Sequence, residues 1–240
     1  MAYIDGFVLA VPSAKKDAYQ KMASDASAVF RRLGAIGLVE NWGLDVPQGK
    51  VNCFNSAVMR RPDETVMFSW IVWPDRAARD AGNKAMMEDP AFEGMSPETM
   101  PFDGQRMIFG GFEQLFGDAL AAPGIVDGTL MPVPAGSRAA YLAAAEKLAA
   151  VFVEHGATSV VDAWGDDLPE GKVNSFHTAV LKKPDENVIF SWINWKDAAT
   201  RQAGWDKAMA DPRMAEFSPV TTGADLGRMI YGTFEPIVTG

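Results

Sequence analysis

The 240-residue sequence contains very little cysteine and histidine. Its single cysteine, Cys53, cannot form a disulfide within the chain, which excludes the small disulfide-rich folds and fits a reducing compartment. The two histidines, His155 and His177, lack metal-ligand spacing and have no cysteine beside them, so we predict no metal site and no cofactor.

Basic residues and long apolar stretches are also scarce. The chain has 22 Lys and Arg against 31 Asp and Glu, a net charge of -9, which disfavours binding to nucleic acid or to an anionic membrane. No stretch reaches the roughly 20 apolar residues of a membrane span, and the N-terminal MAYIDGFVLAVP lacks the basic start of a signal peptide. With 48% hydrophobic residues the chain can form a core, so we expect a soluble, cytoplasmic globular protein.

The familiar nucleotide-binding and hydrolase motifs are absent as well. The sequence has no GxGxxG between a strand and a helix, no GxxxxGK[ST] and no GxSxG. Dinucleotide, P-loop and serine-hydrolase chemistry are therefore unsupported.

What the sequence does contain is an internal repeat without gaps. Asp5 recurs as Asp127, an offset of 127 − 5 = 122, and GKVN, FSWI and RMIFGGFE recur at the same offset as GKVN, FSWI and RMIYGTFE. A gapless match of this length predicts that both halves share one fold. We assign residues 1–118 to the first module, 119–124 to a linker rich in Ala, Pro and Gly, and 125–240 to the second module.

Each copy shows the β-α-β-β-α-β pattern of a ferredoxin-like module. In the first copy, β-branched and aromatic residues at 3–11 predict a strand that Pro12 ends. Apolar residues at helical spacing then predict a helix with Ser13 as its N-cap and Gly34 as its stop. The later elements are strands at 36–44 and 65–73, an irregular or extended piece at 51–58, a helix at 75–88 and a last strand at 106–114.

Each predicted sheet has helices on one face only, so its other face needs cover. Packing the two bare faces together gives an eight-stranded barrel, a size that holds side chains or one small ligand. We therefore predict the α+β class, with two ferredoxin-like repeats packed sheet to sheet as a pseudo-dimer within one chain. A further homodimer of the whole chain is compatible with this arrangement. The tryptophans assigned to the core are Trp70, Trp73, Trp192 and Trp195.

Three strings carry a resemblance to a known family: YIDGFVLAVP at 3–12, PDETVMFSWIVWP at 62–74 and MPFDGQRMIFGGF at 100–112. They resemble the YbaA-like family of uncharacterised proteins (domain of unknown function 1428), over nearly all of residues 1–116 and more loosely over 124–238. The resemblance implies single modules of the dimeric α+β barrel superfamily, so this chain resembles a fused version of such a dimer. It implies a fold and no established activity. Because barrels of this superfamily can bind haem, the resemblance also leaves one alternative open, namely that His177 alone ligates a haem.

The second copy departs from the family pattern where MPFDGQRM becomes TGADLGRM at 222–229. If the family's site uses Phe102, Asp103 and Gly104, the second half has lost the aromatic residue and the glycine but retained Asp225 and Arg228. Two interpretations stay open, one working pocket beside one altered pocket, or a loop that only packs differently.

Polar residues on the strands form the candidate ligand site. Glu40 and Trp42 are two positions apart and share one face of their strand. An arginine near two carboxylates and a tryptophan could hold a small polar ligand, or one carboxylate could act as a base with a raised pKa. The alternatives are structural ion pairs at the barrel ends and, for the two asparagines, bracing of loops. The candidates are Asp5, Glu40, Trp42, Asn52, Phe102, Asp103 and Arg106 in the first copy, and Asp127, Asp162, Trp164, Asn174 and Arg228 in the second.

Two functions follow from this interpretation. The first is binding of a small organic molecule in or at the mouth of the barrel, with cofactor-independent oxygenation or isomerisation suggested by analogy of fold. The second is a non-catalytic binding or assembly module with a filled core. A cavity inside the barrel with convergent polar groups favours the first, and a filled interior favours the second.

Overall fold

The computed structural model of the chain describes residues 1–92 and 99–240. The first repeat contains the strands β1 (Tyr3–Pro12), β2 (Gly37–Asp45), β3 (Glu64–Trp73) and β4 (Ile108–Phe116). Its helices are α1 (Lys16–Arg32), α2 (Phe54–Ala57) and α3 (Arg76–Met86), with short 3-10 helices at Ser13–Lys15, Pro90–Phe92 and Gly104–Arg106.

The second repeat has the same order of elements. Its strands are β5 (Ile125–Pro134), β6 (Ala157–Asp167), β7 (Glu186–Trp195) and β8 (Ile230–Thr239). Its helices are α4 (Arg138–Glu154), α5 (Phe176–Ala179), α6 (Ala198–Ala210) and α7 (Pro219–Thr222), with 3-10 helices at Ala135–Ser137 and Pro212–Glu216.

The eight strands form one closed barrel in the order β1-β3-β2-β8-β5-β7-β6-β4. Within each repeat the strands pair in the antiparallel ferredoxin-like order. The repeats join edge to edge, because β2 pairs with β8 and β4 pairs with β6. The predicted α+β class and eight-stranded barrel are therefore confirmed, and closure removes the free edges that each sheet alone would expose.

Two local details differ from the sequence-based prediction. Helix α1 begins at Lys16, because Ser13 lies in a 3-10 turn and its hydroxyl bonds the Thr65 hydroxyl (2.8 Å) instead of capping the helix. The piece at 51–58 contains the short helix α2, which begins with a capping box made by Cys53 and Ser56.

The interior of the barrel is packed with aromatic side chains. Phe68 stacks on Phe190 with ring centres 4.4 Å apart, and Trp70 stacks on Trp192 at 4.3 Å. All four are fully buried, and Phe234 packs against the same stack. Side chains of this size fill the centre of an eight-stranded barrel.

The outer face of the barrel carries the helices. Trp73 and Trp195 point outward from β3 and β7 and lie under α3 and α6 at Gly82 and Gly204. A Cβ atom at either glycine would lie within 2.4 Å of the indole ring, so only glycine lets the helix approach so closely. Among the residues that the structure describes, no helix is long and apolar enough to span a membrane.

Candidate functional site

Asp5 lies on the outer face of the sheet, beneath helix α3. Its carboxylate accepts hydrogen bonds from Trp73 Nε1 (2.9 Å), Arg79 Nε (2.8 Å) and Asn83 Nδ2 (3.4 Å). Burial raises the pKa of Asp5 above its ordinary value, and the Arg79 guanidinium opposes that rise. These contacts join the strand to the helix, away from the interior of the barrel.

Asp127, its counterpart in the second repeat, accepts four hydrogen bonds. The donors are Trp195 Nε1 (2.9 Å), Arg201 Nε (2.6 Å), Trp205 Nε1 (2.7 Å) and the Thr233 hydroxyl (3.0 Å). The buried charge is thus compensated by one cation and three neutral donors.

Glu40 and Asp162 also face the helices. Glu40 Oε2 accepts from the Tyr19 hydroxyl of α1 (2.7 Å) and from the Ser69 hydroxyl. Burial raises the pKa of both Glu40 and Asp162, while hydrogen bonds from their hydroxyl partners lower it. Each carboxyl therefore belongs to a strand-to-helix hydrogen-bond network.

Trp42 and Trp164 lie beneath cations from the first helix of their own repeat. Lys16 Nζ is 5.1 Å from the centre of the Trp42 ring, and the Arg138 guanidinium is 5.7 Å from that of Trp164. Each cation also forms a salt bridge with a glutamate of the other repeat; these glutamates are Glu235 and Glu113, respectively. The two tryptophans thus lie close to contacts that join the repeats.

Arg106 forms a clamp with Glu64 that was not predicted. Its guanidinium donates to both carboxylate oxygens of Glu64 (2.9 and 2.6 Å), to Asp103 (3.0 Å) and to the Met59 carbonyl (2.9 Å).

The second repeat contains the same clamp, made by Arg228, Glu186, Asp225 and the Leu181 carbonyl. The hydrogen bonds from Arg228 lower the pKa of Glu186 to about 2. In both repeats the clamp ties the segment just before the last strand to the first residue of the third strand and to the loop before it.

Asn52 and Asn174 reach across to the opposite repeat. Asn52 Nδ2 donates to the Ala179 and Arg228 carbonyls (both 2.8 Å), and Asn174 Nδ2 donates to the Ala57 and Arg106 carbonyls (2.9 and 2.8 Å). The amide groups therefore bridge the two repeats.

A cavity of about 520 Å³ lies between the outer face of the second-repeat sheet and helices α4 and α6. Of the predicted site residues, it brings together Asp127 and Asp162. Most of its wall is apolar or aromatic. Besides the two aspartates, the residues that line the cavity include Thr129, Tyr141, Phe152, Ser191, Arg201, Trp205 and Phe217.

A carboxyl–phenol pair forms part of the polar wall of this cavity. The Tyr141 hydroxyl donates to Asp162 Oδ2 (2.6 Å), and the Ser191 hydroxyl donates to Oδ1. Burial raises the pKa of Asp162, and burial together with the nearby carboxylate raises that of Tyr141 well above its ordinary value. The pair can exchange hydrogen bonds with a ligand, and the raised pKa favours the protonated form of the Asp162 carboxyl.

The two repeats differ in the side chains at equivalent positions. Phe7 packs into the helix-facing core of the first repeat, where the second repeat has the cavity-lining Thr129. Phe102 contacts the Tyr19 ring edge to face at 5.8 Å, and Ala224 replaces it in the second repeat. Phe217 contacts the Tyr141 ring in the second repeat (6.0 Å), so the smaller side chain that lines the cavity itself is Thr129.

Sequence reasoning missed the cavity residues that the helices contribute. Tyr141 and Arg201 match Tyr19 and Arg79 at the repeat offset, so the signal was present. The helical pattern by itself indicates only that these residues cover the sheet, and it does not point to a cavity. An arginine that recurs on an otherwise sheet-facing helix is the feature that could have identified this site.

Within 1–92 and 99–240, no three His, Cys, Asp or Glu side chains lie close enough together to hold a metal ion. His177, the one candidate haem ligand, is a partly buried residue of α5, and burial lowers its pKa.

Several solved structures have the same fold. The chain is similar to putative monooxygenases from Fusobacterium nucleatum (TM-score 0.60, 10% identity, 99% of this chain and 93% of that chain) and Lactobacillus acidophilus (TM-score 0.57, 10% identity, 100% and 95%). It is also similar to an anthrone oxidase-like protein (TM-score 0.55, 12% identity, 99% and 92%). At these identities the likeness is one of fold, that of the dimeric α+β barrels.

Sequence comparison gives a nearer relationship. The uncharacterised protein YbaA of Escherichia coli K12 is 52% identical over 115 residues, which cover 48% of this chain and 97% of YbaA. YbaA of Shigella flexneri matches equally well. The model of the family "Protein of unknown function (DUF1428)" matches residues 2–104 and again 125–222. The chain therefore belongs to the DUF1428 family and carries its module twice in tandem.

Proposed function

We propose that the chain binds a small, largely apolar organic molecule in the outer cavity of the second repeat. The observation that carries this proposal is the cavity itself, about 520 Å³ in volume and lined by aromatic side chains with a few polar groups. Ligand pockets commonly have volumes of roughly 300–1,000 Å³ and this kind of lining. The site differs from the expected one in or at the mouth of the barrel, because aromatic side chains fill the barrel interior.

The test is to fill the cavity with a side chain that the fold already accepts at the equivalent position. Thr129→Phe introduces the residue that Phe7 supplies in the first repeat. We expect wild-type protein to bind the neutral probe 1-naphthalenemethanol in isothermal titration calorimetry, and Thr129→Phe to weaken this binding by at least about 10-fold, since an occupied pocket excludes the ring.

The matched control adds the same ring outside the cavity. Ala140→Phe lies on the exposed face of α4 and should bind the probe as the wild type does. Absence of probe binding to the wild type, or equal binding by the wild type and Thr129→Phe, would contradict the proposal. Native mass spectrometry of the purified wild type adds an independent readout, because a co-purified ligand should be missing from Thr129→Phe.

Catalysis on the bound molecule is the second candidate function. The Tyr141–Asp162 pair favours it, because a buried carboxyl group with a raised pKa next to a phenol can transfer a proton to or from a ligand. The similar monooxygenase structures share only the fold, so their names do not identify the reaction. Asp162→Asn should abolish turnover of a co-purified ligand, followed by mass spectrometry, and keep its binding. If the wild-type protein leaves the ligand chemically unchanged, the non-catalytic binding module is favoured. The filled barrel interior also fits that function.

A further inference from the structure

Arg79 and Arg201 occupy equivalent positions on α3 and α6. Each donates from Nε to the aspartate on the first strand of its repeat, Arg79 to Asp5 (2.8 Å) and Arg201 to Asp127 (2.6 Å). Arg79 has further carboxylate partners. They are Asp80 (3.1 Å) and Asp167 (2.7 Å), which accept from its Nη1.

Among the residues that the structure describes, Arg201 pairs with no second carboxylate. Gln202 replaces Asp80 at the equivalent position, and Asp45, the counterpart of Asp167, forms no salt bridge with Arg201. Within the described ranges 1–92 and 99–240, neither Nη atom of Arg201 donates to a protein group. The Arg201 side chain is 29% exposed, against 10% for Arg79, and it lines the cavity. A guanidinium group with unused N–H donors therefore contributes to the cavity wall.

We infer that the ligand of this cavity is an organic carboxylate with an aromatic or alkyl body, and that its carboxylate binds the Nη atoms of Arg201. The inference rests on the proposed function and specifies its ligand class. A guanidinium group matches a carboxylate in geometry and charge. The equivalent Arg79 binds two carboxylates at once, that of the strand residue Asp5 and that of Asp167. An arginine at this position can therefore hold a second carboxylate.

The rest of the cavity suits the apolar part of such a molecule. Phe152 and Trp205 form an edge-to-face pair with ring centres 4.8 Å apart, and Phe217 adds a third ring to the lining. The carboxyl group of Asp162 is turned to two hydroxyl donors, so its oxygens are not left to repel an anion. A flat ring between aromatic side chains, with its carboxylate on Arg201, satisfies both parts of the site.

The test compares two probes that differ in charge and share a ring system, 1-naphthoate and neutral 1-naphthalenemethanol, by calorimetry with the full-length protein. We expect the wild type to bind naphthoate at least about 10-fold more tightly. Arg201→Gln should weaken naphthoate binding by roughly 10- to 100-fold and leave naphthalenemethanol binding unchanged, because the neutral probe makes no charge-assisted hydrogen bond to Arg201. Unchanged binding of the neutral probe also demonstrates that the variant is folded.

The matched control is Lys207→Gln, which removes the same charge from an exposed position of α6. It should leave both affinities at the wild-type level. Equal binding of the two probes by the wild type, or an equal effect of Arg201→Gln and Lys207→Gln, would overturn the inference but not the proposed function. If neither probe binds the wild type, the proposed function fails, and the ligand class fails with it.

Discussion

Trp70 and Trp192 stack on each other at the centre of the barrel, with ring centres 4.3 Å apart and planes 20° from parallel. The two residues occupy the same position in the two repeats. Phe68 and Phe190, also equivalent, stack beside them at 4.4 Å and 7°. Both stacks therefore join a residue to its own counterpart, and each repeat supplies half of the interior.

The tryptophan stack predicts a large cost of truncation. Trp192→Ala removes a fully buried indole and leaves a cavity against Trp70, so we expect the free energy of unfolding to fall by about 3–5 kcal/mol. Urea unfolding monitored by circular dichroism measures the change. Tyr231→Ala, at a residue that is 55% exposed, should cost less than about 1 kcal/mol. Similar values for the two variants would contradict the central role of the stack.

A second prediction concerns the first module alone, for which we propose residues 1–118. In the full chain β2 pairs with β8 and β4 with β6, and the first module alone would expose these edges together with the face that carries Phe68 and Trp70. We expect it to form a homodimer that rebuilds the barrel. Sedimentation equilibrium gives the mass directly, with the full-length chain as control. A stable monomer at micromolar concentration would rule out an obligatory pairing of the two modules.

The sequence was sufficient to predict the barrel for a physical reason. A gapless repeat requires two copies of one fold, and alternating apolar residues on both faces of β3 require burial on both sides. Trp70 and Trp73, three positions apart, could thus be assigned to opposite faces. The structure agrees, since Trp70 lies inside the barrel and Trp73 lies under α3.

The partners of the polar side chains could not be predicted in the same way. The alternation of side chains along a strand assigns Asp5 and Glu40 to one face of the sheet. It does not identify the helix residues that contact them, because the rotation of a helix and its distance from the sheet depend on tertiary packing. Arg106 was expected near these carboxylates, whereas its bidentate partner is Glu64, 42 positions earlier in the chain. Thr129 lines the cavity, whereas its counterpart Phe7 packs in the core of the first repeat. The sequence displays this difference but does not show that both residues lie under a helix.

A third prediction concerns the clamp of the second repeat and acid pH. Hydrogen bonds from Arg228 lower the pKa of Glu186 to about 2 in the folded protein, against about 4.3 in an unfolded chain. A depressed carboxyl pKa stabilises the fold above the unfolded value, and this contribution is lost as the pH falls from about 4.3 through about 2. The shift corresponds to about 3 kcal/mol. Glu186→Gln should therefore be less stable than the wild type at pH 6, with a smaller difference at pH 3.

The control for this measurement is Glu146→Gln, which removes an exposed carboxylate from α4 and should stay within about 0.5 kcal/mol of the wild type at both pH values. Denaturant unfolding of the three proteins at pH 6 and pH 3 measures these differences in the free energy of unfolding. A difference between wild type and Glu186→Gln that does not shrink on acidification would show that the clamp carboxylate is not held ionised by Arg228.

The last prediction has the opposite sign, because burial raises the pKa of Asp162 in the folded protein. An unfolded chain ionises its aspartates near pH 3.9, so the folded state holds this proton more tightly, and the stability conferred by Asp162 declines as the pH rises from about 3.9 through the folded value. Relative to Asp162→Asn, the wild type should be more stable at pH 4 than at pH 7. Unfolding of both proteins at these two pH values measures the change, and Asp206→Asn, at an exposed aspartate of α6, provides the control. A wild-type advantage that grows towards pH 7 would mean that Asp162 is stabilised as a carboxylate, which would leave the cavity without its proposed proton carrier.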